Sequence, residues 1–274
     1  MKDSTNKQLD CEERFGIVSA GSLAAGKFSS LVLGCVLTAV FYGVLSLAKL
    51  IWSNTALLQM FFPGGAENRT LIPAITVLAA MWTLSMLLIK KSKLKLQQKM
   101  FAAGSELWRQ ACTESQFRSI YPEPEASVAA VMLAEQLKLH RSDLALADRL
   151  QIMENKFDDL EKELENNFII ISSFIWSIPV LGFIGTVLGL AGAVSNFGLL
   201  ASGDKVSFEA VLPQITGGLA TAFETTLIAL VMALILQLIS SFQLQSELAF
   251  AARIKAATGG MPTWENPAEE VGRQ

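Results

Sequence analysis

Charge is scarce in this chain. Asp, Glu, Lys and Arg make up only 17% of its 274 residues, where soluble domains carry about 25%. Histidine occurs once, at His140, and cysteine three times, at Cys11, Cys35 and Cys112. One histidine and three scattered thiols do not build a zinc site of the usual kind. The odd count without paired spacing reads as reduced, unpaired thiols. A net charge of −3 argues against nucleic acid as the main partner. The sequence holds no Gly-x-x-x-x-Gly-Lys-[Ser/Thr] loop, no Gly-x-Ser-x-Gly elbow and no His-Glu-x-x-His pair. ATP as an energy source and the common hydrolytic chemistries therefore find no support. An intramembrane enzyme would also need a nucleophile–base pair, and none stands out. No cofactor and no metal is expected, and there is no internal repeat.

What the chain has in quantity is apolar sequence, at 51%. Four segments, about 30–52, 71–90, 168–200 and 209–242, are long enough to cross a hydrocarbon core that needs roughly 20 residues. The last two exceed that length and so tilt or project. Residues 1–27 carry four basic and four acidic side chains and no apolar core, unlike a secretory signal. The first apolar run is read as a retained span. Pro73 falls in the first turn of the second span, where a missing N–H is harmless. Lys and Arg number four before the first span, twelve over 90–167 and three in the C-terminal tail; the two short loops, 53–70 and 201–208, hold Arg69 and Lys205. Positive charge marks the cytoplasmic side. Both termini and the long middle segment are thus expected in the cytoplasm.

The middle segment is expected to be helical. Lys90, Lys91, Lys93 and Lys95 follow the second span, and a helix runs on to about Ile120. Tyr121-Pro122-Glu123-Pro124-Glu125 breaks it, and Ser127 is placed to cap the next helix. Leu146, Leu150, Met153, Phe157, Leu160 and Leu164 form a heptad seam, either a bundle core or a subunit-packing stripe. With no glycine or proline before Pro179, this helix is expected to continue into the third span. Charges such as Arg109, Glu114, Arg118 and Glu135 read as solvated surface or as a contact for a driven partner. The tail from Gly259 onward reads as disordered.

The third and fourth spans carry more than lipid demands. The run Ile178-Pro179-Val180-Leu181-Gly182-Phe183-Ile184-Gly185-Thr186-Val187-Leu188-Gly189 extends to Gly192. Glycines at 182, 185, 189 and 192 allow backbones to approach closely, and Pro179 can bend the helix. Thr186 then lies in a protein-lined space. On the fourth span Gly217, Thr221, Thr225, Ala229 and Ala233 recur every four residues as a small-residue stripe. Its hydroxyls can bond to their own backbone or hand protons along a chain. Glu224 is the one acidic residue well inside a span. It is either functional or a structural carboxyl bonded to a neighbouring helix. No basic residue lies at its depth, so a charged partner would come from another chain. A proton relay usually needs several intramembrane carboxylates; here the missing one is expected from a different subunit.

The 178–189 run resembles the Pro-x-x-Gly-x-x-Gly/Ala-Thr-Val-x-Gly stretch of the MotA/TolQ/ExbB family of ion-channel subunits. The fourth span is similar to that family's small-residue helix with a pore threonine, for which Thr221, Thr225 and Thr226 are candidates. Glu224 departs from the family pattern. The likeness is good over 168–245. The four-span plan is similar to the MotA branch, and Gly-Thr-Val-Leu-Gly to the TolQ/ExbB branch.

This resemblance implies a bacterial inner-membrane homopentamer around a pair of single-span MotB/TolR/ExbD-like partners. Each partner carries a membrane aspartate. Thr186 would line the channel beside it, with Thr225 as its mate. Protons or sodium ions would drive rotation of the ring, and one charge crossing 100 mV supplies about 2.3 kcal/mol.

The reading is therefore an all-α integral membrane protein with four spans and a helical cytoplasmic domain, the third and fourth spans being prolonged into the cytoplasm. It divides into an N-terminal segment (1–29), an outer hairpin (30–90), a cytoplasmic helical domain (91–167), pore-forming spans (168–245) and a tail (246–274). The alternative is a non-conducting scaffold whose cytoplasmic helices recruit a partner.

Overall fold

A computed structural model describes residues 27–51, 60–62, 71–104, 121, 127–201 and 208–259. Among them the regular structure is all helical: α1 Lys27–Ile51, α2 Ile72–Ala103, α3 Val128–His140, α4 Leu146–Ala201 and α5 Phe208–Gly259. Four of these, all but α3, are long and apolar enough to cross a membrane. Pro73 is the second residue of α2. Pro179 and Pro213 lie within α4 and α5, which are continuous through them. Residues 105–120 of the stretch expected to reach Ile120, residues 1–26, the first short loop apart from 60–62, residues 202–207 and residues 260–274 lie outside the described residues, as do Cys11 and Cys112. Cys35 is a free, exposed thiol on α1.

The helices form two compact units. The first contains the described parts of 88–168 and 242–274. Its core gathers Leu94 of α2, Val128 to Ala130 and Leu133 of α3, Phe157, Leu160 and Leu164 of α4, and Phe250 and Ile254 of α5. Phe101 and Phe250 meet edge to face at 5.9 Å. Ser127 caps α3, its hydroxyl accepting from the Ala130 N–H at 3.4 Å. The Gln97 side-chain oxygen accepts the Val128 N–H at 3.1 Å, so two orphan donors of that helix start are satisfied.

The heptad seam of α4 is a core only in its second half. Phe157, Leu160 and Leu164 are buried, but Leu146 and Leu150 are 66% and 63% exposed. The repeat alone cannot say where the covering helices end.

The second unit contains 27–87 and 169–241. α1 touches α2 near its start. A Cβ on Gly34 would stand 2.7 Å from the Trp82 Cα. The Trp82 indole N–H donates to Ser30 Oγ at 3.2 Å, and the Ser85 hydroxyl donates to the Ser30 carbonyl at 2.5 Å. Trp82 also packs on Phe174 of α4, with ring centroids 4.6 Å apart. Thr38, Thr76 and Thr83 bond back to carbonyls four residues earlier, each at 2.8 Å. Such back-bonding hides a hydroxyl inside an apolar helix. Val32, Val36, Val40 and Val44 form an exposed apolar row on α1, as a lipid-facing side would.

Candidate functional site: the α4–α5 hydroxyl node

Small residues bring α4 and α5 together in the second unit. A Cβ on Gly182 would lie 2.5 Å from the Ala229 Cβ, and one on Gly185 would lie 2.5 Å from Thr225 Oγ1. A Cβ on Gly189 would lie 2.7 Å from the Gly218 carbonyl oxygen. No side chain larger than hydrogen fits at these three positions without movement. Gly192 is different, since nothing lies within 4 Å of its would-be Cβ. On α5 the glycine in contact is Gly218, whose own Cβ would meet the Gly189 carbonyl at 2.9 Å; Gly217 is half-buried beside it. A strict four-residue count selects Gly217, whereas the α-helical period of 3.6 shifts the contact by one residue along the stripe.

This close approach places two hydroxyls against each other. Thr186 Oγ1 and Thr226 Oγ1 are hydrogen-bonded. Thr186 Oγ1 also lies 3.2 Å from the Gly182 and Ala222 carbonyl oxygens. Thr226 Oγ1 lies 3.2 Å and 3.1 Å from the same two oxygens. The node is therefore four oxygens, two from each helix. A hydroxyl has one hydrogen to give and two lone pairs, so the two hydrogens fill only two of these five separations at a time. Either threonine can donate to the other while the acceptor passes its own hydrogen to a carbonyl. All four atoms are oxygen, a donor set that suits a hard cation or a proton wire.

The other predicted residues take different places. Thr225 is buried, donates to the Ala222 carbonyl at 3.0 Å and fills the space over Gly185. The expected mate of Thr186 was Thr225; the threonine bonded to it is Thr226. Thr221 is buried and donates to the Gly217 carbonyl at 2.9 Å. Glu224 is half-buried and forms no ion pair among the described residues. Pro179 lies on α4 one turn before Gly182. No group of three or more His, Cys, Asp or Glu suited to a metal ion occurs among the described residues.

One polar cluster, in the first unit, was missed from the sequence. Lys90 Nζ lies 3.0 Å from Glu247 Oε2, with the two side chains 1% and 0% exposed. The Gln243 amide donates to Glu247 Oε1 at 3.3 Å, and Lys90 Nζ sits 4.4 Å from the Phe168 ring centroid. Lys93 is also buried. A lysine run after a span signals orientation first, and nothing local marks which of its members turns inward.

Together the four long apolar helices and the glycine-set hydroxyl node define a multi-pass α-helical membrane protein with a polar point inside a close helix pair. Residues 124–252, which include that pair, match the model of the MotA/TolQ/ExbB proton channel family. The match contains Thr186, Thr226 and every close-contact glycine on α4 and α5. It supports a channel role in coarse terms. Comparisons with curated proteins and with solved structures give no match.

Proposed function

We propose that this chain is the ion-channel subunit of a rotary motor of the MotA/TolQ/ExbB type in a bacterial inner membrane. Both termini and the first unit lie in the cytoplasm. The chain assembles as a homopentamer around single-span partners of the MotB/TolR/ExbD kind. Each partner contributes the membrane aspartate that this chain lacks. Ion flow past that aspartate and the Thr186–Thr226 node is converted into rotation.

The observation that carries this reading is the bonded hydroxyl pair, held by three glycines within the segment that matches a proton channel family. Packing alone asks for the glycines but not for two hydroxyls sharing two carbonyls. The transported ion is a proton, or a sodium ion held by the same oxygens.

The test begins with the tagged chain purified from its host in mild detergent and weighed as an intact complex. Five copies with two copies of a small single-span protein bearing a membrane aspartate is the expected composition. That complex, reconstituted with a pH-sensitive dye inside the vesicles, should take up protons, and Thr186→Val should stop uptake with assembly unchanged. A fully active Thr186→Val complex would overturn the assignment and favour a scaffold.

A further inference from the structure

Two stripes of opposite charge run along the first unit. On α2, Lys91, Lys95 and Lys99 recur every four residues and all are exposed, whereas Lys90 and Lys93 are buried. Residues four apart lie one above another on a helix, so the three ammonium groups share one side over about 12 Å. On α4, Asp158, Glu161 and Glu165 recur at spacings of three and four, over about 10 Å. Asp158 and Glu165 are exposed and Glu161 is half-buried. Glu154, one turn earlier, is held by Lys255 at 2.6 Å. Lys162 stands beside the acidic stripe, and Asp159 and Glu163 widen it. No ion pair joins the two stripes within the chain among the described residues.

The stripes start at the same level. Lys90 lies against Phe168. Lys91 is one residue past that contact on α2, and Glu165 is three residues before it on α4, so each stripe begins within about one turn of it. Both then run away from the apolar parts of their helices. With anionic headgroups at the level of Lys90, just past the apolar part of α2, the far end of the basic stripe would lie beyond their reach. Lys99 is about 13 Å along α2 from Lys90, beyond a screening length of about 8 Å in physiological salt.

We propose that Lys91, Lys95 and Lys99 of one copy dock on Asp158, Glu161 and Glu165 of the next copy in a ring. Copies related by rotation about the membrane normal meet at equal depth, and these stripes match in depth and length and are opposite in sign. Because the two surfaces are different, the contact is head-to-tail, the type that closes into rings. This inference rests on the homo-oligomer of the proposed function.

The experiment co-expresses two full-length forms with different tags. One carries Lys91→Gln, Lys95→Gln and Lys99→Gln; the other carries Asp158→Asn, Glu161→Gln and Glu165→Gln. Neither form can link its own stripes. Complexes purified through both tags are treated with a carbodiimide, which joins touching amines and carboxylates without a spacer, and their peptides are weighed. Amide links from the lysines of the second form to the carboxylates of the first are expected, with yield falling severalfold in 1 M salt as the screening length drops to about 3 Å. Unsubstituted chains bearing the two tags are the control. If only these pair, the stripes are needed for assembly and the inference stands. Doubly tagged complexes without such links, or with anionic lipid retained on the lysines instead, would overturn it and leave the channel reading intact. If the control chains do not pair either, both fall.

Discussion

Gly185 of α4 and Thr225 of α5 meet without room for another atom: a Cβ on the glycine would lie 2.5 Å from the threonine hydroxyl oxygen and 2.7 Å from its Cβ. Gly185→Ala must therefore push the helices apart or turn Thr225. The cost of such overpacking is about 1–3 kcal/mol, seen as a lower Tm in detergent. Gly192→Ala, where the space is open, should leave Tm unchanged or slightly raised, since alanine favours helix. Equal effects from the two substitutions would contradict the packing described.

The Thr186–Thr226 pair separates stability from conduction. Hydrogen bonds between membrane helices average about 0.6 kcal/mol, so Thr226→Val should barely move Tm. Proton uptake by the reconstituted complex should fall more than about tenfold, equivalent to about 1.4 kcal/mol on the barrier. Thr226→Ser keeps the hydroxyl and should retain most of the flux. Thr221→Val, remote from the pair in hydrogen bonding, should be mild. If Thr225→Val proves far more damaging than Thr226→Val, the wrong hydroxyl has been placed in the path.

Lys90 and Glu247 form a buried ion pair, and breaking such a pair from one side leaves a charge without compensation. Glu247→Gln and Lys90→Met should each destabilise by about 3–5 kcal/mol. Combining Lys90→Met with Glu247→Leu should recover much of that loss, because two apolar groups have no charge to desolvate. Thermal unfolding of the three variants checks this. Additive losses in the double variant would mean that the two residues do not interact.

Ser127 caps α3 through its side chain. Ser127→Ala should cost about 1 kcal/mol and Ser127→Asp almost nothing. The effect should be read by hydrogen exchange at Ala129 and Ala130, because α3 packs wholly within the first unit. Unchanged exchange in the alanine variant would remove the cap from the account.

Much of this was legible in the sequence. The four long apolar helices, the Ser127 cap and the uninterrupted passage of α4 through Pro179 follow from local pattern. Of the glycines expected as contact points, Gly182, Gly185 and Gly189 meet α5, whereas nothing lies within 4 Å of a Cβ on Gly192 and the α5 contact falls on Gly218 instead of Gly217, because spacing alone does not fix how two helices are rotated against each other. The identity of the threonine partner was not legible. Thr225 and Thr226 are adjacent, and about 100° of helix rotation separates a hydroxyl that fills a gap over Gly185 from one that reaches Thr186. Only the rotation of α5 against α4 decides between them. The exposed Leu146 and Leu150 show the same limit, since a heptad repeat records which side of a helix is apolar and not how far its cover extends. The Lys90–Glu247 pair joins residues far apart in the chain, and no local signal links them.

The hydroxyl pair has a consequence for direction. Two threonines sharing two carbonyls can point their hydrogens one way along the row or the other, and the Ala222 carbonyl, which also accepts from Thr225, is the more heavily used end. A proton passed along the row in the proposed channel would flip it, and the row would have to turn back before passing another. In the proposed channel such an element would be a wire with a reset, not a valve. Any preference for inward flow would then be imposed at its ends, by the voltage and by the acid group that the proposed partner brings to the row.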